Sequence, residues 1–315
     1  MTIRIANPET DFPQIAQILT RYSTEAVTVA ELWDDEKRMM HGKIRRRWVS
    51  SDDQTGAING YALVIKYPSE PIDLFHTEIV VMPNFHRQGI GRTLYTEALT
   101  FAREHGCGRL MTTVKDDDVP SLTFGKNRGF DVSHHVFDST LDVVNFDETP
   151  FMGVIESLQA QGISFITLAE TGMNEASVQA LYTLNRNAVL EEPGSTGTFP
   201  TYENWRRIVL DSSWYRPESQ FIAVDGDQYI GLAGVYNEPD NPQEMFNGYT
   251  GVDSRYRGRK IALSLKLLTI RYAREHGAKT ISTDNDARNA PMLKINQKLG
   301  YVASAGHFVL VKELK

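Results

Sequence analysis

The stretch that decides the fold runs Val80-Val81-Met82-Pro83-Asn84-Phe85-His86-Arg87-Gln88-Gly89-Ile90-Gly91-Arg92. A β-branched run ends at Val81, and a loop carrying glycine and basic residues follows. Ile90, Leu94, Ala98, Leu99 and Ala102 then recur at helical spacing. A helix N-terminus presents unpaired N–H groups and partial positive charge, and glycine lets the backbone come close to an anion. That geometry suits a pyrophosphate. It is not a dinucleotide fingerprint, because Leu94 stands where GxGxxG needs its third glycine. It is not a P-loop either, since no Gly-Lys-Ser/Thr follows.

The same chemistry occurs a second time. Ala-Arg-Glu-His-Gly at Ala102–Gly106 returns at Ala273–Gly277, a displacement of 171 residues. At that displacement Ile90 meets Ile261, Leu94 meets Leu265, Pro120 meets Pro291 and Gly129-Phe130 meets Gly300-Tyr301. No gap is needed from Ile79/Thr250 to Phe130/Tyr301. So long a period marks a duplicated domain, not a solenoid. Each copy reads as α/β, with β runs on either side of the amphipathic helix. The expected division is an N-terminal domain over 1–150, a linker over 151–162 that includes a helix at Met152–Gln161, and a C-terminal domain over 163–315.

Val81-x-Pro83-x-Phe85-His86-Arg87-Gln88-Gly89-Ile90-Gly91 resembles motif A, [QR]xxGx[GA], of the GNAT superfamily of acyl-CoA-dependent N-acyltransferases. The second copy matches in register with Val252 and Tyr256-Arg257-Gly258-Arg259-Lys260-Ile261-Ala262. Asn289-x-x-Met292 with Gly300-Tyr301 resembles the family's motif B. The resemblance implies two tandem GNAT-like domains, each a mixed, mostly antiparallel sheet flanked by helices. It implies acetyl-CoA or another acyl-CoA as co-substrate, a small-molecule amine as acceptor, and direct attack of the amine on the thioester. It places CoA against Val81, His86, Arg87, Gln88, Gly89, Ile90, Gly91 and Arg92 in the first copy. In the second it places CoA against Val252, Arg257, Gly258, Arg259, Lys260, Ile261 and Ala262, with Asn285, Asn289 and Asn296 along the pantetheine arm. The backbone N–H near Val81 or Val252 becomes the expected oxyanion donor.

Both copies depart from the pattern. His86 replaces the family's Gln or Arg, Asp118 takes the motif B asparagine position, and Gly125 stands where many members have a proton-donating tyrosine. In the second copy Asn296 takes that tyrosine position, and Lys260 replaces a loop glycine, at a cost of roughly 1–2 kcal/mol if its φ is positive. Candidates for moving the amine proton are Glu78 in the first copy, and Tyr249, its counterpart at the same displacement, with Glu244, Glu191 and Glu192 in the second. The neutral amides of Asn289 and Asn296, set against Asp118 and Gly125, make the second copy the expected catalytic one. The alternative is an acyl-CoA-binding protein whose two copies both lack an efficient base.

Composition narrows the partners. The chain has 315 residues, 41% of them hydrophobic and 23% charged, with a formal charge of −7. That balance affords a packed core and disfavours nucleic acid, whose binders carry a basic face. A single cysteine, Cys107, excludes a disulfide framework and a zinc site built on several thiolates, and no metal is expected. No apolar run is long enough to span a membrane, and the N-terminus lacks a secretory apolar stretch, so the expected compartment is cytoplasmic. Oligomeric state is not readable. His105 and His276 each precede a glycine at a helix end, where they complement the dipole. Trp33, Trp48, Trp205 and Trp214 are expected to pack, with Trp205 and Trp214 flanking the region that shapes acceptor pockets in the family.

Overall fold

The computed structural model describes residues 1–22, 26–37, 44–67, 70–195, 197–212, 214–238 and 241–314. It divides into two compact units, 1–133 with 308–315, and 134–307. In the first, strands β1 (Thr2–Ile5), β2 (Ile44–Ser51), β3 (Ile58–Lys66) and β4 (Leu74–Val81) pair antiparallel in sequence order. Strand β5 (Arg109–Lys115) joins β4 in parallel at Leu74–His76. Helices α1 (Pro8–Thr20) and α2 (Val29–Lys37) cover one face, and α3 (Ile90–Glu104) with α4 (Val119–Lys126) the other.

The second unit contains most of β6 (Asp131–Asp142), then α5 (Val154–Gln159), β7 (Ile163–Thr167), α6 (Glu175–Leu190), α7 (Tyr202–Trp205), β8 (Gln220–Asp225), β9 (Gln228–Glu238) and β10 (Asn241–Val252). Helix α8 (Ile261–Glu275), β11 (Thr280–Asp286), α9 (Ala290–Leu299) and the start of β12 (Val302–Glu313) complete it. Its strands run β6-β11-β10-β9-β8-β7. All pairs there are antiparallel except β10 with β11, which run parallel at Glu244–Phe246.

The units do not divide where the sequence reading put the linker. Strand β6 pairs with β11 from Asp142/Thr280 to Val136/Asp286, and residues 308–315 at the end of the chain belong to the first unit. Each unit therefore completes its sheet with a strand from the other half of the chain. The helix read as a linker is shorter, Val154–Gln159, and buries Ile155 in the same cluster as Leu141, Leu267 and Ile281. It is a structural helix of the second unit.

The duplication is visible in the packing. Helix α3 sets Ile90, Leu94, Ala98 and Ala102 against Ala62, Val64 and Phe75, while α8 sets Ile261 and Leu265 against Ile230 and Ala233. Each buried Ile, Leu, Val or Phe among them contributes roughly 1.5–3 kcal/mol. Both crossings need a glycine on the strand beneath the helix, β3 in the first unit and β9 in the second. A Cβ on Gly60 would sit 2.8 Å from Ile90 Cγ2, and one on Gly231 would sit 2.9 Å from Ile261 Cγ2. Gly60 and Gly231 are again 171 residues apart, so the repeat extends upstream of the stretch in which it is obvious. Among the described residues no helix is long and apolar enough to cross a membrane.

Candidate active site

In both units the fourth and fifth strands of the motif start in parallel and then part. In the second unit the pairing of β10 with β11 ends at Phe246/Ser282. Strand β10 also carries a bulge against β9 between Asn247 and Thr250. A bulge bends its strand and re-aims side chains, so the parting widens at this point. The resulting cavity holds about 580 Å³ and is walled by Asn247–Thr250 on one side and Thr283–Asp286 on the other. In the first unit β4 follows β3 in unbroken register from His76/Ile65 to Val81/Gly60. No bulge opens it.

Amide direction follows from the ladder. Asp253 N–H donates to Ile230 O at 2.9 Å, so the alternate amides of Val252 and Thr250 face away from β9 and into the parting. Met82 N–H donates to Asn59 O at 2.9 Å and turns the amides of Val81 and Ile79 the same way in the first unit. The Thr250 hydroxyl borders the cavity and is buried without a partner.

The two phosphate-type loops are built alike with their glycines exchanged. Arg87 and Gly89 have φ of 61° and 86°, and their counterparts Gly258 and Lys260 have 79° and 68°. Each loop thus uses two left-handed residues, one glycine and one not, and neither copy holds an advantage in loop glycines. Gly91 is an ordinary helical residue, a Cβ on which would lie 3.2 Å from Phe124. Helices α3 and α8 begin at Gly89 and Lys260 with no side-chain cap, leaving the first-turn amides for a ligand. Arg87, Gln88, Arg92, Arg259 and Lys260 are all exposed around these ends, whereas Ile90 and Ile261 are buried in the cores and Ala262 is half-buried.

His86 and Arg257 turn back onto their own strands. His86 Nε2 lies 2.8 Å from Val81 O, and because a carbonyl only accepts, that nitrogen carries the proton. Arg257 Nε donates to Val252 O at 3.1 Å, and Nη2 pairs with Glu191 at 2.9 Å. These equivalent side chains brace equivalent strand ends.

The asparagines separate by role. Asn289 caps α9 through Met292 N–H and donates Nδ2 to Glu192 Oε1 at 2.9 Å. Asp118 caps α4 in the same way, which accounts for its presence at that position. Asn285 gives its amide hydrogens to Ser139 Oγ, Phe137 O and Thr283 O and accepts from Asn296 Nδ2 at 2.8 Å. Asn296 is buried and committed to that bond, away from the cavity lining.

Of the acid–base candidates, Tyr249 and Glu192 both line the cavity. Burial, opposed by the Asn289 bond, pushes the Glu192 carboxyl above its ordinary range. Burial and the charges of Glu192 and Glu191 push the Tyr249 phenol up, so it stays protonated. Glu244 lies at the paired, closed end of β10, accepts from Asn241 Nδ2, and is not in the lining. Glu78 is exposed on β4, and the protein packed around its carboxyl raises its pKa against the pull of Arg47. Around it Arg47 and Arg45 are buried in ion pairs with Asp35 and Glu36.

Three lining residues escape a sequence reading. Lys266 on α8 is 1% exposed, donates Nζ to Asn247 Oδ1 at 2.6 Å, and lies 4.8 Å from the Tyr301 ring centroid. Burial pushes it down to about 7. The signal for it was weak but present, since 266 falls on the buried stripe with Leu263, Leu267 and Ile270. Asp284 faces Asp138 across the β11–β6 pairing, and burial with that neighbour pushes it up to about 6.

In each unit a parted pair of parallel strands lies beside a helix start with no side-chain cap, an arrangement suited to an anionic ligand. Residues 12–130 and 184–301 each match the model of the Acetyltransferase (GNAT) family. The chain belongs to that family and is a tandem GNAT N-acetyltransferase. It is 26% identical over 304 residues to a mycothiol acetyltransferase of Thermomonospora curvata, covering 93% of this chain and 92% of that one. It is also 26% identical over 237 residues to that of Corynebacterium glutamicum strain R, covering 75% of each. Among solved structures, a GCN5-related N-acetyltransferase from Sphaerobacter thermophilus shares the fold with a TM-score of 0.69 at 19% identity, over 99% of this chain and 95% of that one. A tandem GNAT protein from the clavulanic acid biosynthesis pathway does so with a TM-score of 0.68 at 19% identity, over 99% and 98%.

Proposed function

We propose that the second unit transfers acetyl from acetyl-CoA to a small-molecule amine, and that the first unit is structural or binds CoA without turnover. The observation that carries this reading is the bulge at Asn247–Thr250 beside the cavity between β10 and β11, at a point where β4 keeps unbroken register with β3. The names of the relatives, mycothiol acetyltransferases, support a small-molecule acceptor.

The chain's residues fit the co-substrate. The first-turn amides of α8, with Lys260 and Arg259 beside them, would hold the pyrophosphate. The N–H groups of Val252 and Thr250 would receive the oxyanion that forms on the thioester carbonyl. The neutral amine attacks that carbon, its C–N bond forms, and the C–S bond breaks. Glu192 takes the amine proton, and Tyr249 gives its own to the departing thiolate and recovers one by way of Glu192. The products are an amide and free CoA. Asn289 donates to Glu192 and favours its ionised form, the form that accepts the proton.

The test is steady release of CoA thiol from acetyl-CoA with a panel of primary amines. Turnover in the wild type that is lost in Glu192→Gln with acetyl-CoA binding intact supports the reading. Binding without turnover by any amine supports the non-catalytic alternative.

A further inference from the structure

One side of the cleft has a chemical character that the transfer reaction does not require. On the face of β11 away from α9, Asp284 stands opposite Asp138, and both border the cavity. Tyr236 and Phe246 border it too, with ring centroids 5.4 Å apart. Trp214 extends this wall outward, 4.7 Å from the Tyr236 ring and 37% exposed. The Tyr236 phenol is pushed up to about 12 by burial first and then by the charges of Asp284 and Glu238, which ties aromatic and acidic residues to one place. Asp286, two residues along β11, is paired with Arg288 and lies 3.8 Å from His134 Nε2.

Carboxylates set into an aromatic wall are the arrangement that binds organic cations, through charge-assisted hydrogen bonds and ring faces together. A neutral sugar can donate its hydroxyls to the same carboxylates but gains no charge contact from them, and an anionic acceptor would meet like charge. Resting on the catalytic reading of the second unit, we infer that the acceptor carries a positive group besides the amine that reacts, held by Asp284 and Asp138 against the Tyr236–Trp214 wall. Asp284 and Trp214 are then specificity residues. They select the acceptor and take no part in the transfer.

The experiment compares three acceptors of similar length at pH 8: propane-1,3-diamine, propylamine and β-alanine, with cationic, neutral and anionic tails. The expected kcat/KM falls in that order by about tenfold per step, since each charge contact of this kind contributes on the order of 1–2 kcal/mol. Asp284→Asn and Trp214→Ala should flatten the series, and Asp284→Glu should retain it. A flat series in the wild type, or one unchanged in Asp284→Asn, overturns the inference while leaving acetyl transfer standing. If no acceptor releases CoA, the catalytic reading fails separately, and calorimetric titration of propane-1,3-diamine decides this one. Binding weakened by Asp284→Asn supports it, and absent or equal binding ends it.

Discussion

Asn289 and Glu192 are 97 positions apart in the chain and joined by a 2.9 Å hydrogen bond from Nδ2 to Oε1. The bond links the cap of α9 to the carboxylate that shares the cleft with Tyr249. A carboxyl raised by burial is protonated, and inactive as a base, at pH values where an exposed one is already ionised. Activity should therefore rise with pH through a limb above the ordinary glutamate value of 4.5. Glu192→Gln should lower kcat on the order of 10²-fold or more and abolish that limb, with acetyl-CoA affinity retained. A pH–rate profile of both forms checks it, and an unchanged limb in the variant contradicts the assignment.

Lys266 makes a prediction about stability. Its pKa falls from the usual 10.5 to about 7 in the folded chain, so unfolding takes up a proton between those values. Stability should climb with pH across that window by at most roughly 1.4 kcal/mol per unit, and level off below about 7 where both states are charged. Denaturant titrations of wild type and Lys266→Met at pH 7, 8 and 9 isolate this slope, because the other groups cancel in the difference. Equal slopes would show that Lys266 is charged in the fold.

The exchanged glycines give a third. Lys260 holds φ at 68° with a side chain that disfavours it. Lys260→Gly relieves roughly 1–2 kcal/mol of that strain, offset by about 0.5–1 kcal/mol of chain entropy. The variant should melt no lower than wild type while its KM for acetyl-CoA rises. A lower melting temperature with unchanged KM would mean that the lysine supports the fold and not the phosphates.

How far the sequence reaches is clear from particular elements. Helices α3 and α8 were legible because their apolar spacing and flanking glycines are local signals, and both lie in the repeated register. The exchange of β6 and the end of β12 was not legible, since alternation along a strand says which face is buried and nothing about which strand lies beside it. The same limit hid Asp284 and Asp138, whose meeting depends on β6 pairing with β11. Glu192 stood among several exposed-looking acids until Asn289 set it apart. His86 and Arg257 sit where the family pattern puts them and turn back to brace their own strands, a direction that residue type does not encode.

The claim that the second unit does the chemistry is tested most directly at its N-terminal helix position. Ile261 is 1% exposed, so a charge there would damage the core, but Gly89 and Lys260 are exposed, equivalent and both left-handed. Gly89→Glu and Lys260→Glu place the same anion at the same point of each loop. With folding verified by melting, Lys260→Glu should abolish CoA release and Gly89→Glu should leave most of it. Loss of turnover in Gly89→Glu with activity retained in Lys260→Glu would place the active site in the first unit.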